Sequence, residues 1–214
     1  IPSGRMQGRS AFYLAIVWTA LSLAVAFALG PWVGLASALG CLLSFAYSAP
    51  PLRLKRNGWW GNAAVAFAYE GLAWFTGAAV VAGGLPDGKI IFVAYLYSIG
   101  AHGIMTLNDF KAIEGDVALG VRSLPVQYGA KAAALIACFV MALPQLLVAA
   151  LLFAWSAPLY GLAILVLVAG QAMLMRRFVE DPRGRAPWYN ATGTSLYVLG
   201  MMVAAFALGG IIGS

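Results

Sequence analysis

Residues 131–154 have the sequence KAAALIACFVMALPQLLVAALLFA, in which the only charged side chain is that of Lys131. A helix of about 20 apolar residues is long enough to cross the hydrocarbon core of a bilayer. We therefore expect this run to form a transmembrane helix.

The rest of the chain has the same character. Of its 214 residues, 63% are hydrophobic and 9% are charged, whereas a soluble domain carries roughly 25% charged residues. The apolar residues form continuous runs and do not alternate with polar ones as they do in a membrane β-barrel. The sequence predicts an all-α, polytopic transmembrane helical bundle that forms a single domain, residues 1–214, with spans at 10–29, 32–47, 61–83, 89–108, 131–154, 157–175 and 190–212.

Basic residues indicate how these spans are oriented. If seven spans alternate across the membrane, twelve of the 13 Lys and Arg residues, from Arg5 to Arg185, lie on the side of the N-terminus, and only Lys89 lies on the other. Cytoplasmic loops carry such an excess, so we expect the basic side to face the cytoplasm. The net charge of +6 then reflects topology and contact with anionic membrane lipids, and not nucleic-acid binding.

Acidic side chains cluster at the end of the fourth span, in the stretch Asn108–Asp116, NDFKAIEGD. The carboxyl end of a helix disfavours negative charge, and a bound divalent cation would offset it. Mg²⁺ typically takes one or two protein carboxylates together with substrate phosphates. If the helix continued through this stretch, Asp109 and Asp116 would share one face about 10 Å apart along the axis. That spacing suits two ions, or one ion and a diphosphate.

Glu114 is the weaker candidate in this stretch. In a continuous helix it would point to the opposite side unless Gly115 ended the helix. The alternative interpretation of the whole stretch is a solvated loop whose acids pair with Lys111 and Arg122.

A basic loop is expected on the same side of the membrane. Residues 47–56, YSAPPLRLKR, contain two prolines, which exclude helix, and then Arg53, Lys55 and Arg56. A rigid cationic loop can bind phosphate oxygens, with arginine doing so in bidentate fashion; ordinary cytoplasmic charge bias is the alternative. The acids would bind Mg²⁺, the cations would bind phosphate, and a bundle as deep as the bilayer could hold a hydrocarbon chain. Together these features suggest that the substrate is a polyprenyl diphosphate.

Polar and aromatic side chains also lie inside or beside the spans. Glu70 is in the middle of the third span, where an ionised carboxylate is unfavourable, so it should face the bundle interior. His102 is expected to be a satisfied interior histidine or a contact for an acceptor substrate or its metal. Trp188 and Tyr189 fit an aromatic belt at the membrane boundary, and Asn190 follows them.

Several of these stretches resemble the UbiA-superfamily prenyltransferases. Asn108–Asp116 resembles their second Asp-rich motif, and residues 120–126, GVRSLPV, are similar to the sequence that follows it. Residues 47–62, YSAPPLRLKRNGWWGN, and 186–194, APWYNATGT, look like segments of the chlorophyll-synthase branch. Residues 101–116, AHGIMTLNDFKAIEGD, look most like its bacteriochlorophyll form.

The resemblance implies a fold and a reaction. Family members have nine transmembrane helices, so about seven would be present here. The stretch Pro2–Arg5 looks like the residues just downstream of the family's first Asp-rich motif, without which the fragment would be nearly inactive. A geranylgeranyl or phytyl group would pass from its diphosphate, held through Mg²⁺, to the propionate of bacteriochlorophyllide. The setting would be a bacterial inner membrane, cytoplasmic or intracytoplasmic photosynthetic, with the active-site loops in the cytoplasm.

The resemblance also implies roles for individual residues. The catalytic set would be Asn108, Asp109, Asp116 and, more weakly, Glu114, with Asp109 and Asp116 as metal ligands. Ala112 departs from the family pattern, which has an Asp at that position. The substrate-binding set would be Tyr47, Arg53, Lys55, Arg56, Arg122, Glu70, His102, Trp188, Tyr189 and Asn190.

Other functions stay open at this point. A prenyltransferase could use another acceptor, such as chlorophyllide or a quinone precursor. A pigment-binding membrane protein without catalysis is a further alternative. A transporter would place its polar groups near the midplane of the membrane, whereas most of the polar residues here lie towards one face.

Overall fold

The computed structural model describes residues 8–213, so that Arg5 and the stretch Pro2–Arg5 lie outside the described residues. Within 8–213 the fold is helical, with no β-strand beyond one isolated bridge. The helices are α1 (Gly8–Leu29), α2 (Pro31–Ser48), α3 (Gly58–Ala66), α4 (Ala73–Ala82), α5 (Gly88–Asp109), α6 (Ile113–Ala118), α7 (Leu124–Tyr128), α8 (Ala130–Ala154), α9 (Pro158–Glu180) and α10 (Pro182–Gly213).

The predicted number of spans is confirmed. A π-helical turn, Phe67–Leu72, joins α3 and α4 into one span, and seven helices are then long and apolar enough to cross a membrane. The predicted limits were less accurate at the polar ends. The last helix begins at Pro182 and not at residue 190, because helical structure continues through polar residues beyond the apolar run.

The start of α3 is set by its capping residue. The Asn57 side chain accepts hydrogen bonds from Trp59 N at 2.9 Å and Trp60 N at 3.4 Å. Asparagine at this position satisfies amide groups that have no partner within the helix. The helix therefore starts at Gly58, three residues before the apolar run predicted from the sequence, 61–83.

Helix α5 is the most buried span, and α8 and α10 pack against it. Helix α9 packs on both α8 and α10, its neighbours in sequence. Close approach depends on glycine: a Cβ at Gly103 would lie 2.5 Å from Ala137 O of α8. Small residues permit such helix contacts in membranes. Helix α1 packs mainly on α2, and most of its side chains, such as Trp18 at 59% exposure, are exposed.

A pair of amides links α8 to α9 inside the bundle. Gln145 and Gln171 are both fully buried. Each side-chain amide donates to the other's oxygen at 3.1 Å, and Gln145 Nε2 also donates to Met141 O at 2.9 Å. In an apolar medium a polar group needs such a partner, so the pair fixes the register of the two helices.

Candidate active site

Two loops at one end of the bundle are joined through their backbones. Gly58 N donates to Arg122 O at 2.8 Å, and Arg122 N donates to Arg56 O at 2.9 Å, so that Asn57 and Arg122 form a parallel β-bridge. The loop between α2 and α3 carries the basic residues, and the segment from the end of α5 through α6 carries the acidic ones and is called the acidic loop below. The two stretches that stood out in the sequence therefore adjoin in the fold.

The helix that carries Asp109 does not continue through Asp116, so the continuous helix considered above is wrong. Helix α5 ends at Asp109, residues 110–112 form a turn, and α6 begins at Ile113. The carboxylates of Asp109 and Asp116 lie within electrostatic range of each other. The Tyr47 hydroxyl, at the end of α2, lies within range of both. Two carboxylates and one phenol thus share a region at this end of the bundle.

Asp109 is held in place by α3. Asn62 Nδ2 donates to Asp109 Oδ2 at 3.1 Å and to Thr106 Oγ1 at 3.2 Å, while the Thr106 hydroxyl donates to His102 O at 3.0 Å. A hydrogen bond from a neutral donor to a carboxylate is stronger than one between neutral groups. The contact leaves Asp109 Oδ1 without a hydrogen bond from any described residue.

Asn62 is a functional candidate that the sequence reasoning missed, and Thr106 is the second acceptor of its amide. Asn62 closes the stretch YSAPPLRLKRNGWWGN, and it is a polar residue at the start of an apolar run. This position at the start of an apolar run was the feature of the sequence that could have identified Asn62 as a candidate. Its hydrogen-bond partner, 47 residues away, could not be identified without the packing of α3 on α5.

The donor set fits Mg²⁺. Asp109 and Asp116 provide carboxylate oxygens, and no described residue donates a hydrogen bond to Oδ1 of Asp109. Residues 8–213 contain no group of three or more His, Cys, Asp or Glu side chains that could hold a metal by themselves. An ion here would complete its coordination with water and phosphate oxygens, which is how Mg²⁺ usually binds alongside a substrate.

Glu114 points to a different part of the molecule. Its Oε1 lies 3.1 Å from Arg183 Nη1 at the start of α10, and both side chains are exposed. The alternative pairing of the acids with Lys111 and Arg122 is not found among the described residues, where the only ion pairs are Glu114–Arg183 and Glu180–Arg185. Asn108 is exposed.

The basic residues of the two loops are free to bind an anion. Arg53, Lys55, Arg56 and Arg122 are exposed, and in the described part of the chain none of them forms an ion pair. The backbone bridge joins the loop that carries Arg53, Lys55 and Arg56 to the segment that carries Arg122. Exposed cations without an ionic partner are suited to binding phosphate oxygens.

An apolar cavity of about 460 Å³ opens beside Tyr47. It extends into the bundle from Tyr47 to Gly40, and Met105, one helical turn before Asp109, forms part of its wall. A molecule with a charged head at Asp109 and an apolar tail could occupy both places. The residues that line the cavity are Gly40, Leu43, Ser44, Tyr47, Ala64, Val65, Ala68, Tyr69 and Met105.

The residues considered for the acceptor do not form one cluster. Glu70 is half-buried in the π-helical turn. His102 is buried, donates from Nε2 to Trp59 O at 3.2 Å, and lines a recess of about 410 Å³ with Trp59 and Trp60. Trp188 lines a separate recess, beside Arg177.

Tyr189 is not part of an aromatic belt, contrary to expectation. It has 0% exposure, and its ring stacks on Phe178 with centroids 5.0 Å apart, because α10 turns this side chain towards α9. The neighbouring Asn190 Oδ1 accepts a hydrogen bond from Thr194 at 3.2 Å.

The fold and the site define a class of protein: a membrane-embedded enzyme whose carboxylates, cations and apolar cavity suit an amphipathic diphosphate. The model of the UbiA prenyltransferase family matches residues 1–196. The chain belongs to this family and is a prenyltransferase. Family members generally use Mg²⁺ in binding the diphosphate.

Several proteins are similar over nearly the whole chain. The bacteriochlorophyll synthase 33 kDa chain of Cereibacter sphaeroides is 56% identical over 99% of this chain and 70% of its own length. The protein of the same description from Rhodobacter capsulatus is 53% identical over 98% of this chain and 70% of its own. The chloroplastic chlorophyll synthase of Arabidopsis thaliana is 38% identical over 97% of this chain and 55% of its own.

A solved structure has the same fold. It comes from work on a digeranylgeranylglyceryl phosphate synthase in membranes, and it superposes with a TM-score of 0.75 over 99% of this chain and 73% of that one. The two sequences are 19% identical, so this likeness concerns the helical architecture alone.

Proposed function

We propose that this protein transfers a geranylgeranyl or phytyl group from its diphosphate to the propionate carboxylate of bacteriochlorophyllide, with Mg²⁺ at Asp109 and Asp116. The main support is that Asn62 donates a hydrogen bond to Asp109 and that main-chain bonds join the segment after this residue to a loop whose cations form no ion pair with any described residue. The similarity to two bacteriochlorophyll synthase chains supports the acceptor. We place the active-site loops on the cytoplasmic face of a bacterial inner membrane, as the Lys and Arg distribution indicates.

The chemistry follows from the charges in the site. The bond between C1 of the prenyl chain and the diphosphate oxygen breaks, and its electron pair leaves on the diphosphate. A bound Mg²⁺ would stabilise that developing charge. The side chains of Arg53, Lys55 and Arg56 would bind the same diphosphate oxygens. Positive charges that are already in position before the bond breaks favour the transition state.

The acceptor supplies the new bond. An oxygen of the propionate carboxylate attacks C1 and forms the ester, and no general base is needed because a carboxylate, with a pKa of about 4, is already ionised at neutral pH. The cavity below Tyr47 would hold the chain and keep water from the electron-poor carbon. Glu70, His102, Trp188, Tyr189 and Asn190 are proposed for the acceptor side, and Asn108 and Glu114 for the metal side.

The test is mass spectrometry of the pigment after the complete protein has been incubated with bacteriochlorophyllide, Mg²⁺ and each diphosphate. We expect an esterified product that disappears with EDTA and with Asp116→Ala. Asp181→Ala, which removes an exposed carboxylate at the start of α10, should retain activity.

Other results of this experiment would contradict the proposal. Unchanged turnover in Asp116→Ala would remove that carboxylate from the mechanism. Esterification of chlorophyllide or prenylation of a quinone precursor, but not of bacteriochlorophyllide, would overturn the acceptor. Pigment that binds and is never esterified would indicate a pigment-binding protein, and flux across proteoliposomes without prenyl transfer would indicate a transporter.

A further inference from the structure

A basic recess lies at the turn between α9 and α10, and of the residues proposed above for substrate binding it contains only Trp188. Four arginines fall within ten residues of this turn: Arg176, Arg177, Arg183 and Arg185. A recess of about 430 Å³ is formed there, and its volume is within the range of small-ligand pockets, roughly 300–1,000 Å³. None of its residues lines the cavity beside Tyr47; they are Arg177, Glu180, Arg185 and Trp188.

The recess keeps an uncompensated positive charge. Arg185 Nη1 lies 2.8 Å from Glu180 Oε2 and also donates to Arg177 O at 2.8 Å. These contacts neutralise Glu180 and hold Arg185 against the end of α9. The Arg177 guanidinium forms no ion pair with any described carboxylate, so it can bind an anion without first losing a partner.

The position along α9 places the recess at the membrane boundary. The helix is free of charged residues from Pro158 to Met175, and Arg176 and Arg177 follow directly. Trp188 packs against the buried core of the bundle and also lines the recess. Tryptophan and arginine at the end of an apolar span are typical of the level at which lipid headgroups lie.

We propose that this recess binds the phosphodiester headgroup of an anionic membrane phospholipid, with Arg177 as the main phosphate ligand. Arginine pairs with phosphate through two parallel hydrogen bonds, and basic pockets between transmembrane helices take acidic lipid headgroups. Trp188 also lines the recess and provides an apolar surface beside the headgroup. The same turn contacts the acidic loop through Arg183 and Glu114, so the bound lipid adjoins the active-site loop.

The test uses the complete protein in neutral detergent, with short-chain phosphatidylglycerol as the probe and native mass spectrometry as the measurement. Arg177→Gln should weaken binding about tenfold or more, as expected for loss of a charged hydrogen-bonded pair. Arg176→Gln removes the same charge from an adjacent exposed residue that does not line the recess, and it should change binding by less than about threefold.

The result does not depend on prenyl transfer, because no turnover is measured. If Arg177→Gln does not fold, Arg177→Lys, which keeps the charge and loses the planar fork, should still weaken binding measurably. Equal losses in the Arg176 and Arg177 variants would show only a diffuse surface charge and would overturn the site. Phosphatidylcholine or inorganic phosphate binding as tightly as phosphatidylglycerol would overturn the assignment to an anionic lipid.

Discussion

The hydrogen bond from Asn62 to Asp109 should control how tightly the enzyme binds Mg²⁺. In Asn62→Ala the carboxylate loses its only hydrogen bond from the described residues, at 3.1 Å, and Thr106 loses a second contact, at 3.2 Å. A bond to a charged group contributes about 1.5–3 kcal/mol. Removing a residue that orients a metal ligand typically lowers metal affinity or activity about 10- to 100-fold.

The assay is the rate of ester formation as a function of Mg²⁺ concentration. We expect the Mg²⁺ concentration for half-maximal rate to rise about 10- to 100-fold in Asn62→Ala, with a smaller loss of rate at saturating Mg²⁺. Thr106→Val is the matched control, because it removes the other acceptor of the same amide and leaves the Asp109 contact in place. It should shift the Mg²⁺ dependence by less than about threefold.

Two results would refute this reasoning. An unchanged Mg²⁺ dependence in a folded Asn62→Ala protein would show that Asp109 needs no orientation by α3. Equal shifts in Asn62→Ala and Thr106→Val would show that general packing between α3 and α5 matters and the carboxylate contact does not.

Three further predictions concern the basic loop, the core and the topology. Arg53→Gln combined with Lys55→Gln should raise KM for the prenyl diphosphate about tenfold or more, measured by steady-state kinetics, because two unpaired phosphate ligands are lost; an unchanged KM would exclude them. Gln145→Leu should lower the free energy of unfolding by about 1–2 kcal/mol in a denaturant titration, and adding Gln171→Leu should recover part of it, since no amide is then unpaired; a purely additive loss would contradict the pairing. A membrane-impermeant maleimide should label Arg53→Cys from the cytoplasm and Gly84→Cys from the opposite side, in a protein without other cysteines; the reverse pattern would invert the topology.

The spans could be predicted from the sequence because bilayer crossing is a property of local composition. Seven apolar runs gave seven helices. The limits of a helix were harder to predict, as in α10, which begins at Pro182 and runs through polar residues. Hydropathy indicates which residues are apolar enough to lie in the membrane, but it does not show where the helix begins or ends. The π-helical turn at Phe67–Leu72 has no marker of its own in an apolar run.

The residue types of the candidate site are visible in the sequence, whereas their arrangement in space is not. The types and clustering of Asp109 and Asp116 pointed to a metal, because carboxylates at a helix end need a counter-charge. The break at residues 110–112, the partner role of Asn62 and the pairing of Glu114 with Arg183 all depend on contacts between distant segments. No local pattern in a single sequence specifies such contacts.

The two main-chain bonds that tie Arg122 to Arg56 and Gly58 join the two polar loops at that end of the bundle. Neither loop can lift away on its own while both bonds remain. In the proposed reaction the product is a pigment ester with a 20-carbon tail, which is itself a lipid. We expect it to leave sideways between helices into the bilayer, whereas the water-soluble pyrophosphate leaves on the side of the polar loops.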